Sequence, residues 1–395
     1  MKLMIQPGPL KGTVTAIPSK SHGHRLLIAA ALSNPTGEVA FNETSEDLEA
    51  TRTCLAALGE KEPVLPCRES GSTLRFLLPV AMTLNGHVRF LGEGRLLQRP
   101  LSPLKEEMEQ HGCIFHMGKG ELEVSGFLQS GTYRLPGDVS SQYVTGLLFA
   151  LPLLDGDSEI LLTTPLESKG YVDMSLEVLL DSNIHVEVAH QPDVFGPNGE
   201  ALLKFVIPGN QEYMCRSQAT PEGDWSNGAF WLAANYVGFG NRVSCSGLSE
   251  NSLQGDRIVW ELLRDFPNVI DGSQIPDLIP ILAVVAAVRP GITTINHAQR
   301  LRLKESDRLK TTVQLILDLG GEAEERADGM VIRGKPLLRG GTVDGCNDHR
   351  IVMAAAIAAT ICIEPVIING AEAVNKSYPG FFRDYKELGG KFNEI

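Results

Sequence analysis

The chain has 395 residues, too many for one ordinary hydrophobic core, so two domains are expected. Its 35 Lys and Arg stand against 48 Asp and Glu, a formal net charge of −13, which argues against the extended basic face of a nucleic-acid or membrane-surface binder. A local basic pocket for a small anion stays open.

The first stretch, LMIQPGPLKGTVTAI, reads as a strand standing ahead of the rest. A pattern then repeats six times. An Ala-rich apolar helix follows a small or polar start at RLLIAAAL (25–32), STLRFLLPVAM (72–82), SQYVTGLLFALPLL (141–154), SNGAFWLAANYV (226–237), PDLIPILAVVAAV (276–288) and HRIVMAAAIAAT (349–360). Each is followed by a strand-like run, such as GHVRFLG or GITTINH, and then by an amphipathic helix ending near Gly or Asn, such as SPLKEEMEQHG or SDRLKTTVQLILDLGG. Six such α/β units suggest two pseudosymmetric halves of three. The division falls at 18–222 for one lobe and at 1–17 with 223–395 for the other, so the N-terminal strand should pair within the C-terminal half. The apolar runs at 278–288 and 351–363 are shorter than the ~18 residues a membrane span needs and read as buried helices.

Seven scattered cysteines show no disulfide or zinc spacing, and the opening MKLMIQPGPLKG carries no signal-peptide pattern, so a cytoplasmic location is expected. The histidines have no metal-ligand spacing, no Walker A pattern occurs, and Gly92-Glu93-Gly94 lacks the third glycine of a dinucleotide fingerprint. Neither metal nor nucleotide cofactor is expected. Trp225, Trp231 and Trp260 sit in helical patterns and read as core.

Polar residues recur just before the first helix of each unit: Lys20-Ser21, Gly71-Ser72, Ser140-Ser141, Asp224 and Ser226, Asp277, and Asn347-Asp348. Helix N-termini carry unpaired N–H groups and a positive dipole end, so several aimed together would hold an anion. The densest charge lies in RLRLKESDRLK (300–310), with five cations around one Glu and one Asp. Residues 300–304 alternate with period two and read as a strand with a cationic face; Ser306 reads as the N-cap of a helix opening with Asp307 and Arg308. A cation in that first turn opposes the helix dipole and needs a compensating anion. A bound phosphate or carboxylate would serve, as would a solvated salt-bridge cluster with Glu305 and Asp307. Lys20 and Arg25 flank another helix start, Arg95 and Arg99 share the glycine-rich GEGRLLQRP, Arg350 opens a helix, and Lys376 lies in a loop.

Taken in order, PSKSHGHR, SGSTLRF, GEGRLLQRP, GDVSSQY, ESKGYVDMSL, EGDWSNGAF, QIPD, RLRLKESDR, NDHR and NKSYPGFF resemble the enolpyruvylshikimate-phosphate synthase family over nearly the whole chain. The resemblance implies an inverted α/β barrel-like fold of two domains, each with three repeated βαβαββ-type units, in a monomer that closes around its substrates without metal or organic cofactor. It implies transfer of the enolpyruvyl group of phosphoenolpyruvate to the 5-hydroxyl of shikimate 3-phosphate. Lys20, Gly71, Arg95, Gln142, Arg308, Arg350 and Lys376 match phosphoenolpyruvate contacts. Lys20, Ser21, Arg25, Ser140, Ser141, Gln142, Ser168, Asp277 and Lys304 match contacts to the acceptor. Asp277 matches the base for the hydroxyl and Glu305 the residue that handles the methylene proton, with Lys20 beside them in the catalytic set. Glu69 and Arg300 each stand where members of the family carry Asn. A sister transferase acting on UDP-N-acetylglucosamine would be expected to show Lys-Asn at 20–21 and a cysteine in the 92–100 loop, and neither is present. A non-catalytic anion-binding relative would tolerate loss of Asp277 or Glu305, and both are retained.

Overall fold

The structure, a computed structural model, describes residues 1–215, 218–238 and 240–395. It divides into two compact units: a first of residues 20–42 and 46–221, and a second of residues 1–19, 43–45 and 222–395. Each unit has its own buried apolar core, as a chain of this length requires.

The first unit carries helices α1 (Lys20–Leu32), α2 (Glu46–Ala57), α3 (Gly71–Leu84), α4 (Leu104–Gln110), α5 (Ser141–Ala150) and α6 (Lys169–Asp181). The second carries α7 (Trp225–Val237), α8 (Val259–Arg264), α9 (Ile279–Val288), α10 (Arg308–Asp318), α11 (His349–Ala358) and α12 (Phe381–Glu387). The Ala-rich members are interior. In α9 nine of ten residues are buried, and α11 is buried throughout, which is why neither shows an amphipathic stripe. Small side chains let α7, α9 and α11 pack pairwise against one another.

The sheets follow one plan. Each four-stranded sheet has one parallel pair and then two antiparallel joins. In the first unit these are Val64–Arg68, His87–Gly92, Glu121–Gly126 and Cys113–Met117, and Thr132–Leu135, Ser158–Leu162, Ala201–Ile207 and Glu187–Phe195. In the second they are Val269–Asp271, Ile292–Asn296, Met330–Arg333 and Glu322–Glu325, and Gly341–Asp344, Val366–Asn369, Lys2–Gln6 and Lys391–Glu394. A two-stranded parallel sheet completes each unit. The architecture is a mixed α/β fold of two units.

Some local expectations fail. The opening stretch is two strands, Lys2–Gln6 and Lys11–Thr15, because Pro7 and Pro9 cannot donate to a ladder. Residues 300–304 are not a strand. Gln299–Leu303 is a 3-10 turn whose backbone bonds run locally, from Leu301 N to Ala298 O and from Lys304 N to Leu301 O. The helix after it starts at Arg308 and is capped by Asp307, whose carboxylate accepts from Lys310 N, while Ser306 turns its hydroxyl to Asp348. Lys376 closes a 3-10 turn, Ala371–Lys376, and is buried. Trp260 is 59% exposed, on the outer face of a helix of six residues.

Candidate active site

The second unit gathers charge at the starts of α9, α10 and α11. Arg308, the first residue of α10, is 1% exposed and is engaged by three carboxylates. Its NH1 donates to Asp277 Oδ1 at 2.7 Å, NH2 to Glu305 Oε2 at 2.6 Å, and Nε to Asp348 Oδ2 at 2.9 Å. NH2 also reaches Asp348 Oδ1 at 3.2 Å. These carboxylates supply the compensation that a cation in a first helical turn demands, and they raise the guanidinium's pKa against the opposing effect of burial. Four of its five N–H groups are thereby used, so an anion binding to Arg308 must take over a partner or use the remaining NH1 hydrogen.

Asp277, just ahead of α9, is a second junction. Besides Arg308 it faces Lys304 Nζ at 3.6 Å and Arg350 NH2 at 3.4 Å. Burial alone would raise its pKa, but Lys304, Arg350 and Arg308 outweigh that and hold it well below the usual carboxylate range. Lys304 is brought down to about 8, chiefly by burial and also by Arg308 and Arg300, against the pull of Asp277 and Glu305. Arg350 is 2% exposed and is anchored on the start of α7, donating to Ser226 O at 2.8 Å and to Ser226 Oγ at 2.6 Å. Lys376 Nζ donates to Asn347 O at 2.7 Å. Lys304, Arg308 and Arg350 thus meet Asp277, Glu305 and Asp348, a cluster balanced in charge.

The remaining cations of the 300–310 stretch behave differently. Arg302 makes the solvated salt bridges, to Asp307 at 3.1 Å and Glu325 at 2.6 Å, and Arg300 donates to Ser273 O at 3.4 Å. One short sequence therefore serves two purposes, surface pairing for Arg302 and a buried junction for Arg308.

In the first unit, Lys20 opens α1 and bonds Asp47 Oδ2 at 2.9 Å. The starts of α3 and α5 are tied through Gln142, which accepts from Arg75 NH1 at 2.8 Å and donates to Ser72 Oγ at 3.0 Å. Ser140 caps α5, and Ser141 is its first residue. Gly71 is the first residue of α3, and a Cβ there would lie 2.6 Å from Arg99 NH1 and 3.0 Å from Arg75 NH1, so two guanidiniums crowd this helix start. Arg25 is 2% exposed and bonds Ser175 Oγ, Ser21 O and Tyr171 O; burial lowers its pKa to about 9. Ser168 precedes α6 in a left-handed conformation, φ 54°, and Arg95 is exposed ahead of the 3-10 turn Leu96–Gln98.

The structure therefore joins Asp277, Lys304, Glu305, Arg308 and Arg350 directly, and links Gly71, Gln142 and Ser140 through α3 and α5. From sequence, Asp348 and Ser226 stood among the polar helix starts without an assigned site role, and Asp47 and Arg75 were missed. Asp348 and Asp47 had a signal, an acid at or one residue inside a helix start; Arg75 had none beyond its place one turn into a helix. Among the described residues no group of three His, Cys, Asp or Glu is placed to hold a metal ion, and no helix is long and apolar enough to cross a membrane.

The family model described as EPSP synthase (3-phosphoshikimate 1-carboxyvinyltransferase) matches residues 4–273 and 267–385. A 3-phosphoshikimate 1-carboxyvinyltransferase of Clostridium kluyveri is 43% identical, with 99% of this chain and 98% of that one covered; the Clostridium acetobutylicum relative of the same name is 40% identical over the same shares. Among solved structures, EPSP synthase from Acinetobacter baumannii superposes with a TM-score of 0.77 at 20% identity, covering 100% of both chains. The enolpyruvyl transferase NikO from Streptomyces tendae gives 0.76 at 16%, covering 100% of this chain and 98% of that one, and at these identities both likenesses bear on the fold alone. By its family match and its 43% identity along nearly its full length, the chain belongs to the EPSP synthase (3-phosphoshikimate 1-carboxyvinyltransferase) family.

Proposed function

We propose that the chain transfers the enolpyruvyl group of phosphoenolpyruvate to the 5-hydroxyl of shikimate 3-phosphate and releases inorganic phosphate. The observation that carries this reading is the 43% identity, along 99% of the chain, to a relative named for that reaction. The chemistry adds the acceptor oxygen to the central carbon of phosphoenolpyruvate while a proton goes to its methylene. Loss of phosphate and of one methyl proton then restores the double bond. Such a path needs a base or acceptor at the hydroxyl, an acid at the methylene and fixed cations around the anions.

Lys20, Gly71, Arg95 and Gln142 of the first unit, with Arg308, Arg350 and Lys376 of the second, are assigned to phosphoenolpyruvate. Lys20, Ser21, Arg25, Ser140, Ser141, Gln142 and Ser168, with Asp277 and Lys304, are assigned to the acceptor. Asp277 receives the hydroxyl and Glu305 handles the methylene proton, with Lys20 as the cation of the catalytic set. What supports this division is the balanced cluster of the second unit. Phosphate and carboxylate groups are the ligands able to replace Asp277 and Glu305 on Arg308, and replacement would free those carboxylates for proton transfer. The two four-stranded sheets and one two-stranded sheet of each unit support a finer architecture of three repeated βαβαββ-type units per unit, in the inverted α/β barrel-like arrangement. The protein acts as a cytoplasmic monomer on these small molecules.

Turnover of Asp277→Ala and Glu305→Gln tests the assignment. Each falls by ~10²–10⁴ if the residue is a positioned base or acid. Melting temperatures lowered with near-normal turnover would leave both as charge partners only.

A further inference from the structure

In the first unit, α1 and α2 are joined by two polar rungs one helical turn apart. The outer rung is Lys20 Nζ to Asp47 Oδ2, 2.9 Å. The inner rung is His24 Nδ1 to Thr51 Oγ1, 2.7 Å, each partner four residues beyond its outer counterpart and so on the same helix face. The inner rung then continues into α3. Thr51 Oγ1 lies 2.7 Å from Thr73 Oγ1, and Thr73 Oγ1 donates to Ser70 Oγ at 2.7 Å. Ser70 is the N-cap of α3, directly before Gly71. All four side chains belong to residues with 0% exposure.

Counting hydrogens fixes the direction of this chain. Thr73 has one hydroxyl hydrogen, and it goes to Ser70 Oγ, with the Asp47 carbonyl oxygen at 3.4 Å as a second acceptor. Thr73 therefore accepts from Thr51. The only hydrogen of Thr51 is then spent, so Thr51 accepts from His24, and the imidazole carries its proton on Nδ1. His24 Nε2 is left as a bare lone pair, and it is the ring atom with no hydrogen-bond partner. The opposite tautomer would bury an orphaned N–H at that spot, the rarer arrangement in folded proteins. Burial, and then Lys20 and Arg25, keep the ring neutral.

We propose that His24, Thr51 and Thr73 form a one-way donor chain ending on the cap of α3, which holds the Lys20 end of α1 in register with the Gly71 end of α3. His24 and Thr51 are then positioning residues for phosphoenolpyruvate, acting through Lys20 and Gly71 and touching no substrate themselves. The proposal rests on the assignment of Lys20 and Gly71 to that substrate. Nothing else in the reaction requires a fully buried imidazole of fixed tautomer four residues behind a substrate lysine.

Two readouts test it. Nitrogen-15 NMR of the full chain, with the signal assigned through His24→Asn, should show a neutral His24 protonated on Nδ1; an Nε2-protonated ring overturns the donor chain. Steady-state kinetics should show Thr51→Val raising the KM for phosphoenolpyruvate roughly three- to tenfold, as for one lost buried hydrogen bond, with kcat and the acceptor KM changed less than about twofold. Thr51→Ser, which keeps the hydroxyl, should restore the KM. A Thr51→Val chain with a lower melting temperature but an unchanged phosphoenolpyruvate KM, or a failed rescue by Thr51→Ser, overturns the positioning role. A wild-type chain that releases no phosphate from phosphoenolpyruvate overturns the functional reading and the positioning role together, while the tautomer still decides the direction of the chain.

Discussion

Replacing Asp348 by Asn keeps the side chain's shape and its ability to cap α11 but removes one negative charge. Asp348 has 0% exposure and accepts from Arg308 Nε at 2.9 Å, Ser306 Oγ at 3.0 Å and the Arg350 backbone N–H at 2.9 Å. Without its charge, Lys304, Arg308 and Arg350 face only Asp277 and Glu305, leaving one surplus buried cation. Stranding one member of a buried ion pair costs about 3–5 kcal/mol. Asn retains one acceptor oxygen, which keeps the expected loss near the lower end, about 3 kcal/mol. For a unit of the second unit's size, each kcal/mol lowers the melting temperature by about 2–4 °C, so its calorimetric transition should fall by about 6–12 °C. The first unit's transition, with its separate core, should move little. The surplus cation should also make the variant an anion sink. Added inorganic phosphate should raise its melting temperature more than that of the wild type, following the logarithm of ligand concentration over Kd. A shift under about 2 °C, with the same phosphate response as the wild type, would refute the balanced-cluster account.

Acid should weaken the second unit through Asp277, whose folded pKa lies well below its unfolded value. That stabilisation is present above the ordinary carboxylate pKa near ~4 and is lost as the pH falls toward the folded value, so Asp277→Asn should flatten the acid limb of the unfolding curve. Lys304 should titrate near pH 8 when followed by NMR of its side-chain methylene, because its folded pKa is lowered to about 8. The destabilisation that lowering implies is present below about pH 8 and is relieved as the pH rises toward the unfolded value. Gly71→Ala should push back the guanidinium ends of Arg99, 2.6 Å from the added Cβ, and of Arg75, 3.0 Å from it, at little cost in melting temperature because both contacts are with side-chain ends and not with backbone. The KM for phosphoenolpyruvate should nevertheless rise about tenfold, the equivalent of one weakened charged hydrogen bond. Leu282→Ala in α9, where the leucine has 0% exposure, should cost about 2–5 kcal/mol and appear in the second unit's transition alone.

The helices were legible because burial leaves a local record. The all-apolar runs that became α9 and α11 and the spaced apolar residues of α10 each fix one element without knowledge of the rest. The polar starts were legible for the same reason, since a cap is chosen by its own helix. What failed was short or distant. Five alternating residues at 300–304 fit a strand or a 3-10 turn equally, and the choice depends on whether a partner strand exists. The short helix around Trp260 has too few residues for periodicity to say which face is buried. Glu305 lies three residues from Arg308, but its other two carboxylate partners lie 31 and 40 residues away at Asp277 and Asp348, and the register that sets Lys2 against Asn369 is as distant, so no local pattern could supply these contacts. Of the candidate site, the residue types were readable from sequence, whereas the charge balance that holds Arg308 in place was not.

The measurement closest to the central claim is phosphate release by the purified full chain given phosphoenolpyruvate and one acceptor at a time. Shikimate 3-phosphate should support continuous release with stoichiometric formation of its 5-enolpyruvyl ether, and UDP-N-acetylglucosamine should support none. Release with the sugar nucleotide alone, or with neither acceptor, would contradict the account.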